Sequence, residues 1–178
     1  MIAILSDSHV PNRAPEIPQR LLERADKADK AVHCGDIVSK EIYYELEESF
    51  DDFVAVKGNC ERFDLSTSEK FQIDGLEFGV YHGTGIHPRG DHDTLLEIAR
   101  NKMEVDVLLH GHTHREEIFR SGDTILLNPG SCTGVGGGSA TKSDPTMMEA
   151  EVRERTIRAR LLELSGDLKA VSEEEFEL

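Results

Sequence analysis

Asp7-Ser8-His9, Gly35-Asp36, Gly58-Asn59, His82-Gly83 and Gly111-His112-Thr113-His114 each end an apolar run and carry side chains able to bind a divalent cation. Aspartate, asparagine and imidazole together suit manganese, nickel, zinc, iron or cobalt, whereas magnesium and calcium favour oxygen ligands alone. In an extended segment the side chains at i and i+2 point the same way. Asp7 and His9 are therefore expected to face one ion with Ser8 turned away, and His112 and His114 to repeat that arrangement. Gly35, Gly58, Gly83 and Gly111 let the backbone bend closely around such a site. Asp36 is the carboxylate best placed to bridge two ions. The chemistry open to this set is hydrolysis of phosphate esters at a pair of metal ions.

Residues so far apart must be gathered by a fold. Ile2 to Leu5, Lys30 to Cys34 and Phe53 to Val56 read as strands, and helical spacing falls between them at Pro18–Ala28 and around Ile42 and Leu46. This alternation predicts a parallel sheet in the N-terminal half. Phe71 to Ile73 and Leu76 to Tyr81 flank Asp74-Gly75 as a hairpin. A helix from about Asp93 to Lys102 precedes a strand at Val105 to Leu109. Glu117 to Arg120 and Thr124 to Leu127 follow, and Met147 to Val152 with Thr156 to Leu164 make a last hairpin. The expectation is one α/β domain over residues 1–178 with a mixed sheet, the ligands collected at strand ends along one edge. Thr133 to Asp144, with its glycine triplet, reads as a mobile surface loop, and 173–178 as a frayed tail.

In order, Asp-x-His, Gly-Asp, Gly-Asn, His and Gly-His-x-His resemble the motifs of the calcineurin-like metallophosphoesterases. The Ser6-Asp7-Ser8-His9 start, Gly58-Asn59-Cys60 and Asn128-Pro-Gly-Ser131 resemble the small archaeal and bacterial phosphodiesterase branch, whose fold also occurs in a retromer subunit. The resemblance implies a four-layer α-β-β-α sandwich with two mixed sheets. It implies two divalent ions, manganese first among them: Asp7, His9 and His114 on one, Asn59, His82 and His112 on the other, Asp36 between. His87 or His92 would replace His82 if the loop ran differently. The implied activity is that of a phosphodiesterase in which a metal-bridging hydroxide attacks phosphorus in line, with Asp36, Asn59 and His82 as catalytic residues. The substrate would be a small phosphodiester or nucleotide-type ester.

One position departs from the family. Larger members have histidine after Gly-Asn as the acid that protonates the leaving group; here it is Cys60. A thiol is a poor substitute for an imidazolium, so diesters, aryl esters and nucleotide-type leaving groups are expected to outrun alkyl monoesters. The alternative reading is a non-catalytic scaffold or interaction module of the same fold. The full set of ligand histidines favours catalysis.

Other residues have blander readings. His33 and His110 are expected to support the site and not to bind metal. Arg13, Arg62, Arg89 and Arg115 each flank a motif and are either phosphate-steering groups or solvated surface charges.

The formal net charge is −15 over 178 residues, which opposes tight, non-specific nucleic-acid binding. No apolar stretch reaches the roughly 20 residues of a membrane span, and the N-terminus has no signal-peptide pattern. Three cysteines without a C-x-x-C pair fit a reducing, cytoplasmic setting. Exposed hairpins in a small α/β protein are compatible with a homodimer.

Overall fold

The computed structural model describes residues 1–138 and 140–178. Strands β1 (Ile2–Leu5), β2 (Lys30–His33) and β3 (Phe53–Ala55) alternate with helices α1 (Gln19–Ala25) and α2 (Lys40–Ser49). They lie side by side in parallel, Ile4 opposite Val32 and Val32 opposite Val54. The Ser39 hydroxyl caps α2 by accepting from the Ile42 N–H. Strands β4 (Ser68–Ile73) and β5 (Leu76–Tyr81) form the expected hairpin. Asp74 and Gly75 both take positive φ, 47° and 79°, as a two-residue turn that follows the twist of the strands requires.

Helix α3 (His92–Glu97) then runs into a π-helical turn, Ile98–Met103, where a single α-helix was expected. The strands β6 (Val107–Leu109), β7 (Glu116–Ser121), β8 (Thr124–Pro129), β9 (Thr146–Arg153), β10 (Thr156–Ser165) and β11 (Asp167–Glu177) complete the chain. The tail expected to fray is thus a strand, paired with β10 from Asp167 to Glu177. Its many glutamates hide the strand pattern, because β11 is a sheet edge with most side chains in solvent. Phe176 nevertheless packs on the central core.

Two mixed sheets result, in the orders β11-β10-β9-β1-β2-β3 and β4-β5-β6-β8-β7. Between them lies a core with Ile4, Val32, Phe78, Val107 and Leu127 fully buried. The opposite face of the first sheet, Ala3 and Leu5, packs on Leu21 of α1 and Leu46 of α2. Leu108 and Leu126 of the second sheet pack on Leu95 of α3 and Met103 of the π-turn. Alternation along each strand therefore feeds two layers at once, giving four layers: helices, sheet, sheet, helix.

Glu149 of β9, 1% exposed, is held by Arg24 of α1 and by Arg160 of β10 at 3.1 Å, which ties the outer helix to the sheet. The glycine-rich stretch is only in part the surface loop expected: Gly134, Val135 and Gly136 are buried, whereas Gly138 and residues 140–144 are exposed. Ser139 within it lies outside the described residues. Among the described residues no helix is long and apolar enough to cross a membrane.

Candidate metal centre

The parallel strands of both sheets end on one edge, and the five motifs follow them. Asp7 and His9 come after β1, Asp36 after β2, Asn59 after β3, His82 directly after β5, and His112 and His114 after β6. Backbone bonds stitch these loops together. Asp7 N–H donates to the Gly35 carbonyl, His9 N–H to Asp36 and Gly111 N–H to His82, at 3.0–3.1 Å.

Asp7, His9, Asp36, His112 and His114 all adopt left-handed backbone, with φ between 48° and 69°. The expectation of extended i, i+2 geometry for Asp7-Ser8-His9 and His112-Thr113-His114 is therefore corrected: these residues, and Asp36, sit in tight left-handed turns. Left-handed residues other than glycine are uncommon, and their concentration at one place marks a functional site. Glycines take the closest approaches. A Cβ on Gly58 would lie 2.2 Å from Asp36 Oδ1, and one on Gly111 would lie 2.1 Å from Ser6 Oγ.

The donor atoms form a chain. His114 Nε2 is 3.2 Å from Asp7 Oδ1, which is 3.9 Å from His9 Nε2. His9 Nε2 is 3.4 Å from Asp36 Oδ2, and Asp36 Oδ2 is 3.5 Å from His82 Nε2. Donors bound to one ion at about 2.0–2.2 Å stand roughly 3–3.5 Å apart, so these spacings suit shared cations. The hydrogen bonding points the same way. Asp7 Oδ1 and His82 Nε2 are buried with no hydrogen-bond partner. Asp7 Oδ2, in contrast, accepts from Ser6 Oγ at 2.7 Å and from the His112 N–H at 3.0 Å. His82 Nδ1 donates to the Cys34 carbonyl at 2.7 Å and His114 Nδ1 to that of Val135 at 2.6 Å. Both rings thus turn Nε2 inward, the usual arrangement of a metal-binding histidine and its carbonyl partner. The residues present fit divalent metal ions.

Electrostatics reinforce the clustering. Burial alone would lower the His82 pKa, but the Asp36 carboxylate and Asp7 beyond it push it up to about 9. Burial likewise opposes ionisation of Asp36, yet His82, the Cys60 N–H and His9 hold it well below the usual carboxylate range. His112 is pushed down to about 4 by burial and by the charges of His82 and Arg89. His9 is also lowered, mainly by burial.

Not every sequence-predicted ligand joins the chain of donors. His112 sits with its ring edge-on to His82, centroids 5.1 Å apart. Asn59 is exposed, its amide donating to Cys60 Sγ at 3.1 Å. Cys60 Sγ comes within 4.8 Å of His9 and Asp36 donor atoms, closer to the cluster than its reading as a missing acid implied. His87 is exposed and His92 pairs with Glu117 at 2.6 Å, so neither takes the place of His82. His33 is buried behind the cluster, its Nδ1 accepting from the Gly35 N–H at 3.2 Å. His110 Nδ1 accepts from Asn128, whose amide also donates to the Gly111 carbonyl and holds the histidine turn.

Glu61 escaped the sequence reading. Its carboxylate accepts from the Ile37 N–H at 2.6 Å and the Gly58 N–H at 2.8 Å, joining the loops that carry Asp36 and Asn59. Its place directly after Gly-Asn-Cys was the one available signal.

Residues 1–155 match the model of the calcineurin-like phosphoesterase superfamily domain. A probable metallophosphoesterase of Methanothermobacter thermautotrophicus is 32% identical over 91% of each chain. One of Methanocaldococcus jannaschii is 40% identical over 75% of this chain and 68% of its own. Among solved structures, Vps29 of Entamoeba histolytica in complex with zinc is 28% identical over 99% of both chains, with a TM-score of 0.87. An archaeal phosphodiesterase shares the fold at 24% identity and a TM-score of 0.62. Inward-facing aspartates and histidines on the strand ends of a two-sheet sandwich agree with these likenesses, and the chain belongs to the calcineurin-like phosphoesterase superfamily.

Proposed function

We propose that the protein is a binuclear metal-dependent phosphodiesterase acting on small phosphodiesters or nucleotide-type esters. The observation that carries this reading is the pair of buried, unpartnered atoms Asp7 Oδ1 and His82 Nε2, on either side of Asp36. Unpaired polar atoms in a protein interior are costly unless something binds them. Asp7, His9 and His114 would hold one ion, His82, His112 and Asn59 the second, and Asp36 would bridge; manganese is the first metal to test. Two such ions supply an activated water and positive charge for the phosphoryl oxygens.

The chain's own residues define the rest. Asp7 and Asp36 provide anionic oxygens, and the Cys34 and Val135 carbonyls orient two of the imidazoles. The Asn59 amide is exposed at the mouth of the cluster, available to a phosphate oxygen. Burial, then the charge of Asp36, push the Cys60 thiol up to about 12, so it stays protonated at neutral pH. It lacks the positive charge of an imidazolium, and good leaving groups are favoured accordingly.

The names of the archaeal relatives, both probable metallophosphoesterases, support an enzymatic reading over a scaffold. Hydrolysis of bis(p-nitrophenyl) phosphate across a panel of divalent metals tests it, with Asp36→Asn as control. Metal-dependent turnover that Asp36→Asn lowers by about 10²-fold or more is expected. Absence of turnover with every metal, despite two ions bound per chain, would favour the scaffold.

A further inference from the structure

Beside the metal cluster a cleft of about 600 Å³ opens between the loop at Arg89 and Gly90, the segment Thr113 to Glu117, and the glycine-rich loop. His114 forms part of its wall, so the cleft begins at the cluster. The glycine-rich side is held in place from below. The Val135 carbonyl accepts from His114, and the Gly136 carbonyl accepts from Arg13 at 2.6 Å. Gly137 lies so near Thr113 that a Cβ there would sit 2.7 Å from its carbonyl oxygen. Gly136 and Gly137 present main chain on this side, beside Ala140, Thr141 and Ser143, and the volume suits a nucleotide-sized group.

Two guanidiniums line the cleft, those of Arg89 and Arg115. The chain has 35 aspartates and glutamates against 20 lysines and arginines, and most arginines are engaged. Arg24, Arg158 and Arg160 hold carboxylates, and Arg100 holds the Ser121 carbonyl at 2.5 Å. Among the described residues, neither the Arg89 nor the Arg115 guanidinium has such a partner. Two carboxylates, Glu116 and Glu117, also line the cleft. Glu117 is engaged by His92 at 2.6 Å and faces His110 Nε2 at 3.4 Å. Glu116 is exposed at the rim, and a Cβ on Gly130 would lie 3.1 Å from its Oε1.

We propose that Arg89 and Arg115 form a second anion subsite, and that the preferred substrate is a phosphodiester bearing a further phosphate on the half that lies in this cleft. The guanidinium fork matches phosphate oxygens two at a time, and among the described residues neither fork is engaged by another group. The inference rests on the phosphodiesterase reading, because the cluster at His114 fixes which phosphate is attacked.

Two synthetic diesters with the same scissile bond separate the ideas: thymidine 5′-(p-nitrophenyl phosphate), and the same compound carrying a 3′-phosphate. The manganese-loaded protein should favour the 3′-phosphorylated ester in kcat/KM by about tenfold or more. In Arg89→Gln with Arg115→Gln that ratio should fall toward one. Equal kcat/KM for both esters in the wild type, or a preference surviving in the double variant, overturns the subsite and leaves the diesterase reading standing. If neither ester is cleaved, the diesterase reading falls, and calorimetry with thymidine 3′,5′-bisphosphate decides the subsite. Binding weakened about tenfold in the double variant sustains it; equal binding rejects it.

Discussion

Asp7 divides its two oxygens between His112 and the cluster. Oδ2 accepts from the His112 N–H at 3.0 Å, across 105 residues of sequence, while Oδ1 is left bare and 3.2 Å from His114 Nε2. One carboxylate thus fixes the turn that carries two histidines and keeps a second, unpartnered oxygen facing them.

Asp7→Asn separates these roles. The amide oxygen can still accept from His112, so the metal-free variant should stay folded and within about 2 kcal/mol of wild type. The amide N–H₂, however, puts donors where a bare oxygen faced His9 and His114. Manganese affinity at one site should drop by more than the roughly 10–100-fold that loss of an outer partner costs. Calorimetric titration that still finds two ions at undiminished affinity would remove Asp7 from the ligand set.

Glu61 works at one remove from the cluster. Its two oxygens each satisfy a buried backbone N–H, one in the Asp36 loop and one beside Asn59. Glu61→Gln keeps the shape but turns an N–H₂ toward one of those donors. A loss of about 2 kcal/mol is expected, which for a chain of this size lowers Tm by about 4–8 °C. Manganese binding should weaken as well, because the two loops are no longer held in register. A Tm equal to wild type would mean that water or a shift of the loop replaces the carboxylate at no cost.

Much of this architecture is legible in the chain itself, because strand-type runs ending at Asp7, Asp36, Asn59, His82 and His112 mark both the sheets and the edge where they meet. What the sequence hides is what depends on distance across the fold. Nothing in the spacing of Glu61 says that Ile37 and Gly58 lie within reach of one carboxylate. The left-handed turns at Asp7, His9, Asp36, His112 and His114 are invisible too, since none of the five is glycine and an extended reading satisfies the same i, i+2 pattern. Strand β11 is masked for a different reason: an edge strand buries few of its side chains, so its glutamates look like a solvated tail. The glycine-rich loop misleads in its first half, because Gly134 to Gly136 are buried and Gly137 packs against Thr113, while Gly138 and residues 140–144 are exposed as composition suggests.

The histidines give the metal-free protein a stability maximum near neutral pH. His82 is raised to about 9 when folded, so its contribution is complete below the unfolded value of about 6.5 and is lost as pH rises through 9. His33 and His112 are lowered to about 3 and about 4, so below about 6.5 the unfolded chain takes up protons that the folded one refuses, and stability falls again. Denaturation midpoints of chelator-treated protein should therefore decline on both sides of about pH 6.5. A metal ion held by His82, as proposed, would have to displace its proton, so loading should release protons below pH 9 and erase the alkaline decline. A midpoint that is flat from pH 6.5 to 9 in chelator would show that His82 carries no extra proton in the metal-free fold.

On the proposed function, Cys60 would set the choice of leaving group. Its backbone N–H donates to Asp36 Oδ1 at 2.8 Å, so position 60 is fixed against this carboxylate whatever side chain it bears. The thiol, held near 12 by burial and the Asp36 charge, has no positive form with which to protonate a departing alkoxide. Cys60→His places an ionisable imidazole at the same point. Esters with alkyl leaving groups should gain relative to p-nitrophenyl esters by up to about 10²-fold, the lower end of general acid catalysis. The gain should fade above the pKa of the new imidazole, since only its charged form donates. Paired assays of an alkyl and an aryl monoester of equal charge measure the effect directly. An unchanged ratio across pH 5 to 8 would place the proton donor elsewhere than at this position.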